Sequence, residues 1–234
     1  YGQRFNADGS PNGSEFLVNT ETSDHQQYPS VARLTDSGDF VVVWQSDEQD
    51  GSSYGVYGQR FYANGNPHPD GEFLINTETT YGQGNPDVAR LTDSGAFVVV
   101  WDSSEQDGSY SGVYGQRYNS DGTAHADGEF QINTYTNSYQ SHPTVDRLTD
   151  AGSFVVVWQS DNQDSSGYGI YGQRYNSDGT AHADGEFQVH TATASSQRYP
   201  VVARLTDVGS FVVAWQSPDA NGNGVFAQRY NSDG

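Results

Sequence analysis

Four prolines, Pro29, Pro86, Pro143 and Pro200, stand 57 residues apart, and the block behind each is a copy of the one before. PSVARLTDSGDFVVVWQSDEQDGSSYGVYGQRF opens at Pro29. Its returns open with PDVARLTDSGAFVVVWDSSEQDG at Pro86, PTVDRLTDAGSFVVVWQSDNQD at Pro143 and PVVARLTDVGSFVVAWQSPDANG at Pro200. A fixed period of this length belongs to repeat architectures, in which each copy is one supersecondary unit that buries its apolar face against its neighbours.

Aligning the copies divides each unit into four predicted strands. The first is SVARL (30–34) and its relatives, joined by a TDxG turn to the second, FVVVW (40–44, 97–101, 154–158) or FVVAW (211–215). This second strand is continuously apolar and β-branched, the pattern of a strand covered on both faces. The third, VYGQRF (56–61) and its relatives, alternates with period 2. The fourth is EFLVNT (15–20), EFLINT (72–77), EFQINT (129–134) and EFQVHT (186–191). NADG and NSDG turns precede it, with Asn and Asp-Gly to supply positive φ.

An antiparallel four-stranded meander repeated four times predicts an all-β fold, a β-propeller of four four-stranded blades. An open β-solenoid or a string of small sandwiches competes with it. The blades would span 29–77, 86–134, 143–191 and 200–230, the last completed by 1–20, in a single domain. The chain begins inside a repeat, at Tyr1-Gly-Gln-Arg-Phe5, which suggests a slice of a longer array.

The apolar fraction is only 33%, but it is gathered into the short runs that a layered core needs. There is no lysine, and ten arginines face 30 acids for a net charge of −20. Such a surface repels nucleic acid and anionic membranes and attracts cations. Nine of the arginines fall in two repeating series, which predicts ties to repeated acids of the Asp36 or Glu15 type rather than one active site. Cysteine is absent, which excludes disulfides and thiolate metal sites. No apolar run is long enough to cross a membrane as a helix, so no membrane insertion is expected.

The loops between second and third strands are the most acidic. Asp47, Asp50, Asp102, Asp107, Asp161, Asp164 and Asp219, with Asn221 and Asn223, are candidate ligands for a structural Ca2+, which takes six to eight oxygens from such loops. Read blandly, they are solvated turn residues. The six histidines form no close-spaced pair, which argues against zinc.

A glutamine stands three residues before each proline: Gln26, Gln83, Gln140 and Gln197. With Tyr28, Tyr81, Tyr139 and Tyr199 nearby, these residues are predicted to surround one end of the propeller axis. Amides and tyrosine rings suit an uncharged, hydroxyl-rich ligand such as a glycan. They serve equally to pack polar loops. Acids for glycoside hydrolysis exist in quantity, yet an acid and a base need unlike environments, and the copies look nearly alike.

The combination of LTDxGxFVVVWQS, SGYGIYGQRYNSDG and GEFQINT resembles the tandem repeats of large secreted bacterial proteins of the RTX, type I-exported kind. The resemblance implies an extracellular or cell-surface setting rich in calcium, and a role in adhesion. The expectation from sequence is therefore a non-enzymatic, calcium-stabilised, lectin-like module that binds an extracellular glycan or surface polymer, with possible self-association through its repeats. A purely structural stalk or filament is the alternative, and a glycoside-active enzyme the third reading.

Overall fold

The computed structural model describes residues 1–232, and strands and turns are its only regular structure. Each repeat is an antiparallel meander. The first blade is β1 (Gln26–Arg33), β2 (Phe40–Asp47), β3 (Tyr54–Phe61) and β4 (Phe73–Leu74). The second is β5 (Gln83–Arg90), β6 (Phe97–Ser104), β7 (Ser111–Tyr118) and β8 (Phe130–Gln131). The third is β9 (Gln140–Arg147), β10 (Phe154–Asp161), β11 (Tyr168–Tyr175) and β12 (Phe187–Gln188). The fourth has three strands, β13 (Arg198–Arg204), β14 (Phe211–Asp219) and β15 (Gly222–Tyr230).

The predicted all-β blades are present, with two differences. The inner strands start at or beside the glutamines, earlier than predicted. The outer strands shrink to two residues; in the first two blades Asn76 and Asn133 turn their side-chain Oδ1 to Val56 N and Val113 N (both 2.7 Å). A side chain there takes over from the backbone ladder, and the strand ends.

The second strand of each blade is apolar throughout because its two faces meet two different blades. Phe97, Val99 and Trp101 pack against Leu34, Val41, Val43 and Ile75 of the first blade. Val98 and Val100 pack against Val145, Phe154, Val156 and Trp158 of the third. Val155 and Val157 then meet Phe211, Val213 and Trp215 of the fourth. Each such side chain removed from water contributes roughly 2 kcal/mol, so the blades stack through an unbroken apolar series.

Residues 1–20 do not supply the fourth strand of the last sheet. Gly2 exchanges backbone hydrogen bonds with Phe16 (2.9 and 3.0 Å), so the N-terminal segment forms its own half-blade. Phe16 and Val18 then cover Val42, Trp44, Tyr57 and Phe61 of the first blade.

One glycine in the third strand fixes how close the outer strand comes. A Cβ on Gly58, Gly115 or Gly172 would lie 3.0, 3.1 or 2.8 Å from the ring of Phe73, Phe130 or Phe187. Gly2 stands in the same relation to Phe16, at 2.9 Å. The fifth copy of this position is Ala227, in the sheet that has no outer strand among the described residues.

Polar ladders run beside the apolar one. Arg90 joins Asp36 of the preceding blade to Asp93 of its own turn, Arg147 joins Asp93 to Asp150, and Arg204 joins Asp150 to Asp207. The expected ties to Asp36-type acids are thus formed. The second series uses another acid: Arg60, Arg117 and Arg174 bind Asp70, Asp127 and Asp184. The cap of the TDxG turn is the threonine, Thr35 Oγ1 accepting from Asp39 N at 3.1 Å. The aspartate is left for the ladder.

Candidate active site

Register places the starts of the inner strands and the loops between second and third strands at one end of the sheets: Gln26 pairs with Ser46, and Asp47 with Tyr54. Between the first two blades this end opens into a cleft of about 760 Å³, lined by Gln45, Asn85, Asp102 and Glu105 and by the rings of Tyr54, Tyr81, Tyr110 and Tyr139. Tyr110 and Tyr139 stack at 4.8 Å, both largely exposed. A second hollow of about 360 Å³ lies where the four inner strands converge, lined by the four prolines and the residues before them.

Those preceding residues, Tyr28, Asn85, His142 and Tyr199, all have left-handed backbones, with φ of 51, 50, 53 and 54°. A residue before proline is steered towards extended conformations, so this is strain repeated at four positions. A β-bulge accompanies it in each inner strand. In the second, third and fourth blades the backbone N–H of this residue is taken up by the preceding blade: Gln45 Oε1 accepts from Asn85 N at 3.0 Å, and Gln159 Oε1 from Tyr199 N at 3.1 Å.

Between the second and third blades the acceptor is a carboxylate. Asp102 stands where the other copies have Gln45, Gln159 and Gln216, and its Oδ2 accepts from His142 N at 3.1 Å and from Asn85 Nδ2 at 2.9 Å. Both bonds fall on one oxygen, which leaves Oδ1 for the cleft. Burial pushes the carboxyl up to about 6 from 3.8, against the pull of the two hydrogen bonds.

Two more acids break the repeat. Asp87 replaces Ser30 and accepts from Ser30 Oγ at 2.6 Å and Val145 N at 2.9 Å; burial raises its pKa, and the Asp146 charge adds to the rise. Asp146 replaces alanine and accepts from Arg204 N at 2.7 Å. His142, at the same end, is held below its usual range by burial and then by Arg198.

The predicted ligand residues separate into two groups. Tyr81 and Tyr139 line the cleft, and Tyr28 and Tyr199 the axial hollow. Gln83, Gln140 and Gln197 are fully buried, each donating to a carbonyl of the loop before it (Thr80, Asn137 and Ala194), and Gln26 donates likewise to Ser23 O. The glutamines hold loops instead of facing a ligand.

The predicted metal residues also scatter. Among the described residues no three His, Cys, Asp or Glu side chains converge as a metal site. Asp47 ends β2, Asp102 lies under the cleft, and Asp161 accepts from Ser138 Oγ and Asn162 Nδ2. Asp219 pairs with Gly222 and accepts from Asn221 N in a tight hairpin, and Asn223 pairs with Pro218, so this segment has no loop to wrap around an ion. Asp50, Asp107 and Asp164 remain, each turned inward from its loop.

No protein-family model and no curated protein matches the chain. Solved structures do. An endo-arabinase from Bacteroides thetaiotaomicron is 14% identical with a TM-score of 0.57, over 95% of this chain and 81% of that one. An α-L-arabinofuranosidase of Fusarium graminearum in complex with arabinobiose is 12% identical with a TM-score of 0.55, over 87% and 62%. The Hadza microbial sialidase Hz136 is 14% identical with a TM-score of 0.56, over 87% of this chain and 44% of its own. At such identities the likeness is one of fold. These comparisons correct the expectation of a non-enzymatic, lectin-like or stalk module, since the similar structures named here are glycoside hydrolases. The physical ground for that expectation, the uniformity of the blades, fails at Asp87, Asp102 and Asp146.

Proposed function

We propose that this chain is a glycoside-cleaving enzyme that takes an uncharged glycan in the cleft between the first two blades, with Asp102 as the proton donor. The observation that carries the reading is the replacement of a repeated glutamine by one carboxyl with a pKa of about 6. A general acid must hold its proton near neutrality and release it to a leaving oxygen, and an ordinary surface aspartate does not. Glu105, on the same cleft, is the partner carboxylate. The tyrosine rings offer apolar faces on which sugar rings stack, and their hydroxyls and the Asn85 amide offer hydrogen bonds. A chain of net charge −20 disfavours anionic glycans and admits neutral ones.

The endo-arabinase and the arabinofuranosidase among the similar structures put arabinans and α-L-arabinofuranosides first in the assay panel, with neutral β-glycosides and a sialoside beside them. The expected result is release of reducing ends from a neutral substrate, reduced on the order of 100-fold or more in Asp102→Asn. No turnover across the panel, or full activity in Asp102→Asn, overturns the reading.

A further inference from the structure

The loops of the three complete blades share a feature that the cleft does not use. Asp50, Asp107 and Asp164 each spend Oδ1 on a backbone N–H two residues on, that of Ser52, Ser109 or Ser166, at 3.0 to 3.1 Å. The Oδ2 of each is buried and meets no donor. The glutamine before it behaves the same way in all three blades. Gln49, Gln106 and Gln163 donate Nε2 to Glu72, Glu129 and Glu186 at 2.5 to 2.6 Å, which fixes the amide orientation and leaves a buried Oε1 without a donor.

The carboxylates are seated in the backbone of the third strand. A Cβ on Gly55 or Gly112 would come within 2.7 Å of Asp50 or Asp107 Oδ2, and one on Gly169 within 3.1 Å of Asp164 Oδ2. Tyr57, Tyr114 and Tyr171 lie alongside; burial lifts each phenol to about 12, helped by the charges of these aspartates and of Glu72, Glu129 and Glu186. In the third blade the Asp164 side chain is 3% exposed, and His190 Nε2 faces its Oδ2 at 3.6 Å. His190 uses Nδ1 on Ala192 O at 2.9 Å, so Nε2 carries the lone pair, which also lies 3.3 Å from Gln188 Nε2. Two acceptors therefore confront each other there.

A buried carboxylate oxygen without a donor is strongly unfavourable, and so is a buried amide oxygen. Three blades repeat both. We propose that each complete blade binds one hard divalent cation of the calcium class between its Asp Oδ2 and Gln Oε1, at Gln49/Asp50, Gln106/Asp107 and Gln163/Asp164. Oxygen-dominated donors in a chain without cysteine suit calcium over softer metals. The fourth blade, in which the loop is the Asp219 hairpin, has no such pair and takes none.

The test is titration of chelator-treated protein with CaCl2, followed by calorimetry and thermal unfolding. The expected result is three ions per chain and a rise in Tm, two ions in Asp107→Asn, and three in Asp219→Asn. Tb3+ gives a second readout through tyrosine-sensitised emission, which Tyr114→Phe should cut by about a third without removing a ligand; this serves if Asp107→Asn does not fold. A Tm indifferent to Ca2+, or Asp107→Asn with full stoichiometry, means that water alone occupies these places and overturns the proposal. None of these readouts depends on glycoside turnover.

Discussion

Asp102 and Gln45 do the same structural work one blade apart, each accepting the backbone N–H of the left-handed residue in the next inner strand, His142 N at 3.1 Å and Asn85 N at 3.0 Å. Only one of the two can hold a proton to give away. Because the fold already tolerates a neutral side chain at this position, the catalytic and structural contributions of Asp102 are separable by experiment.

Asp102→Asn should lose activity and gain stability at neutral pH. The folded pKa of about 6 lies above the ordinary 3.8, so folding favours the protonated form. Wild-type stability from this group is fully present below about 4 and is lost as pH rises through 6. The variant should therefore have the higher Tm at pH 7 and an equal Tm at pH 4, measured by calorimetry. In the wild type, activity should fall as pH rises through about 6, and this limb should vanish in the variant.

Tyr139 stacks on Tyr110 in the cleft that Asp102 also lines. Tyr139→Ala should raise KM roughly tenfold through loss of a stacking surface and leave kcat within about twofold. Initial rates over a range of substrate concentration separate the two constants.

Gly115→Ala should destabilise the second blade by about 1 to 3 kcal/mol, because the new methyl would sit 3.1 Å from both Phe130 and Ile132. Denaturant unfolding measures this. The reverse change in the last blade, Ala227→Gly, should cost less than about 1 kcal/mol, the ordinary penalty of glycine in a strand.

Within the arginine ladder, position decides worth. The Arg90 side chain is 7% exposed between Asp36 and Asp93, whereas Arg33 is 62% exposed and, among the described residues, pairs with one acid, Asp36. Arg90→Ala should lower Tm by roughly 5 °C, since it strips a buried guanidinium from two acids and from Thr92 O. Arg33→Ala should leave Tm within about 1 °C, as exposed pairs contribute little.

The 57-residue period and the unbroken FVVVW runs made the blades and their stacking legible, because a strand buried on both faces has no other way to look. EFLINT carries a strand-like pattern that predicts a longer outer strand, while Asn76 uses its side chain at the end of the ladder, a contact that only the folded loop reveals. Recurrence beside prolines makes the glutamines read as ligand residues. Their recurrence has a structural cause: Gln83, Gln140 and Gln197 all close the same buried loop. The acids of the candidate site were hidden by the same habit in reverse. Matching the copies to one another draws attention to what they share, and Asp87, Asp102 and Asp146 matter because their blades do not share them. The signal was present in DVARL, TVDRL and FVVVWDS, where single letters depart from the pattern.

Ala227 bears on how a molecule made of interchangeable parts avoids joining its neighbours. In solution every copy of the chain carries short phenylalanine-bearing strands that fit a glycine on a third strand, and an unfilled third strand invites a borrowed one. Among the described residues β15 pairs with β14 alone. The Ala227 methyl stands where phenylalanine rings lie on Gly58, Gly115 and Gly172, so a phenylalanine-bearing strand from another molecule is refused there. Ala227→Gly would lift that refusal, turning a nearly neutral change in stability into a measurable gain in strand-swapped oligomers at high protein concentration.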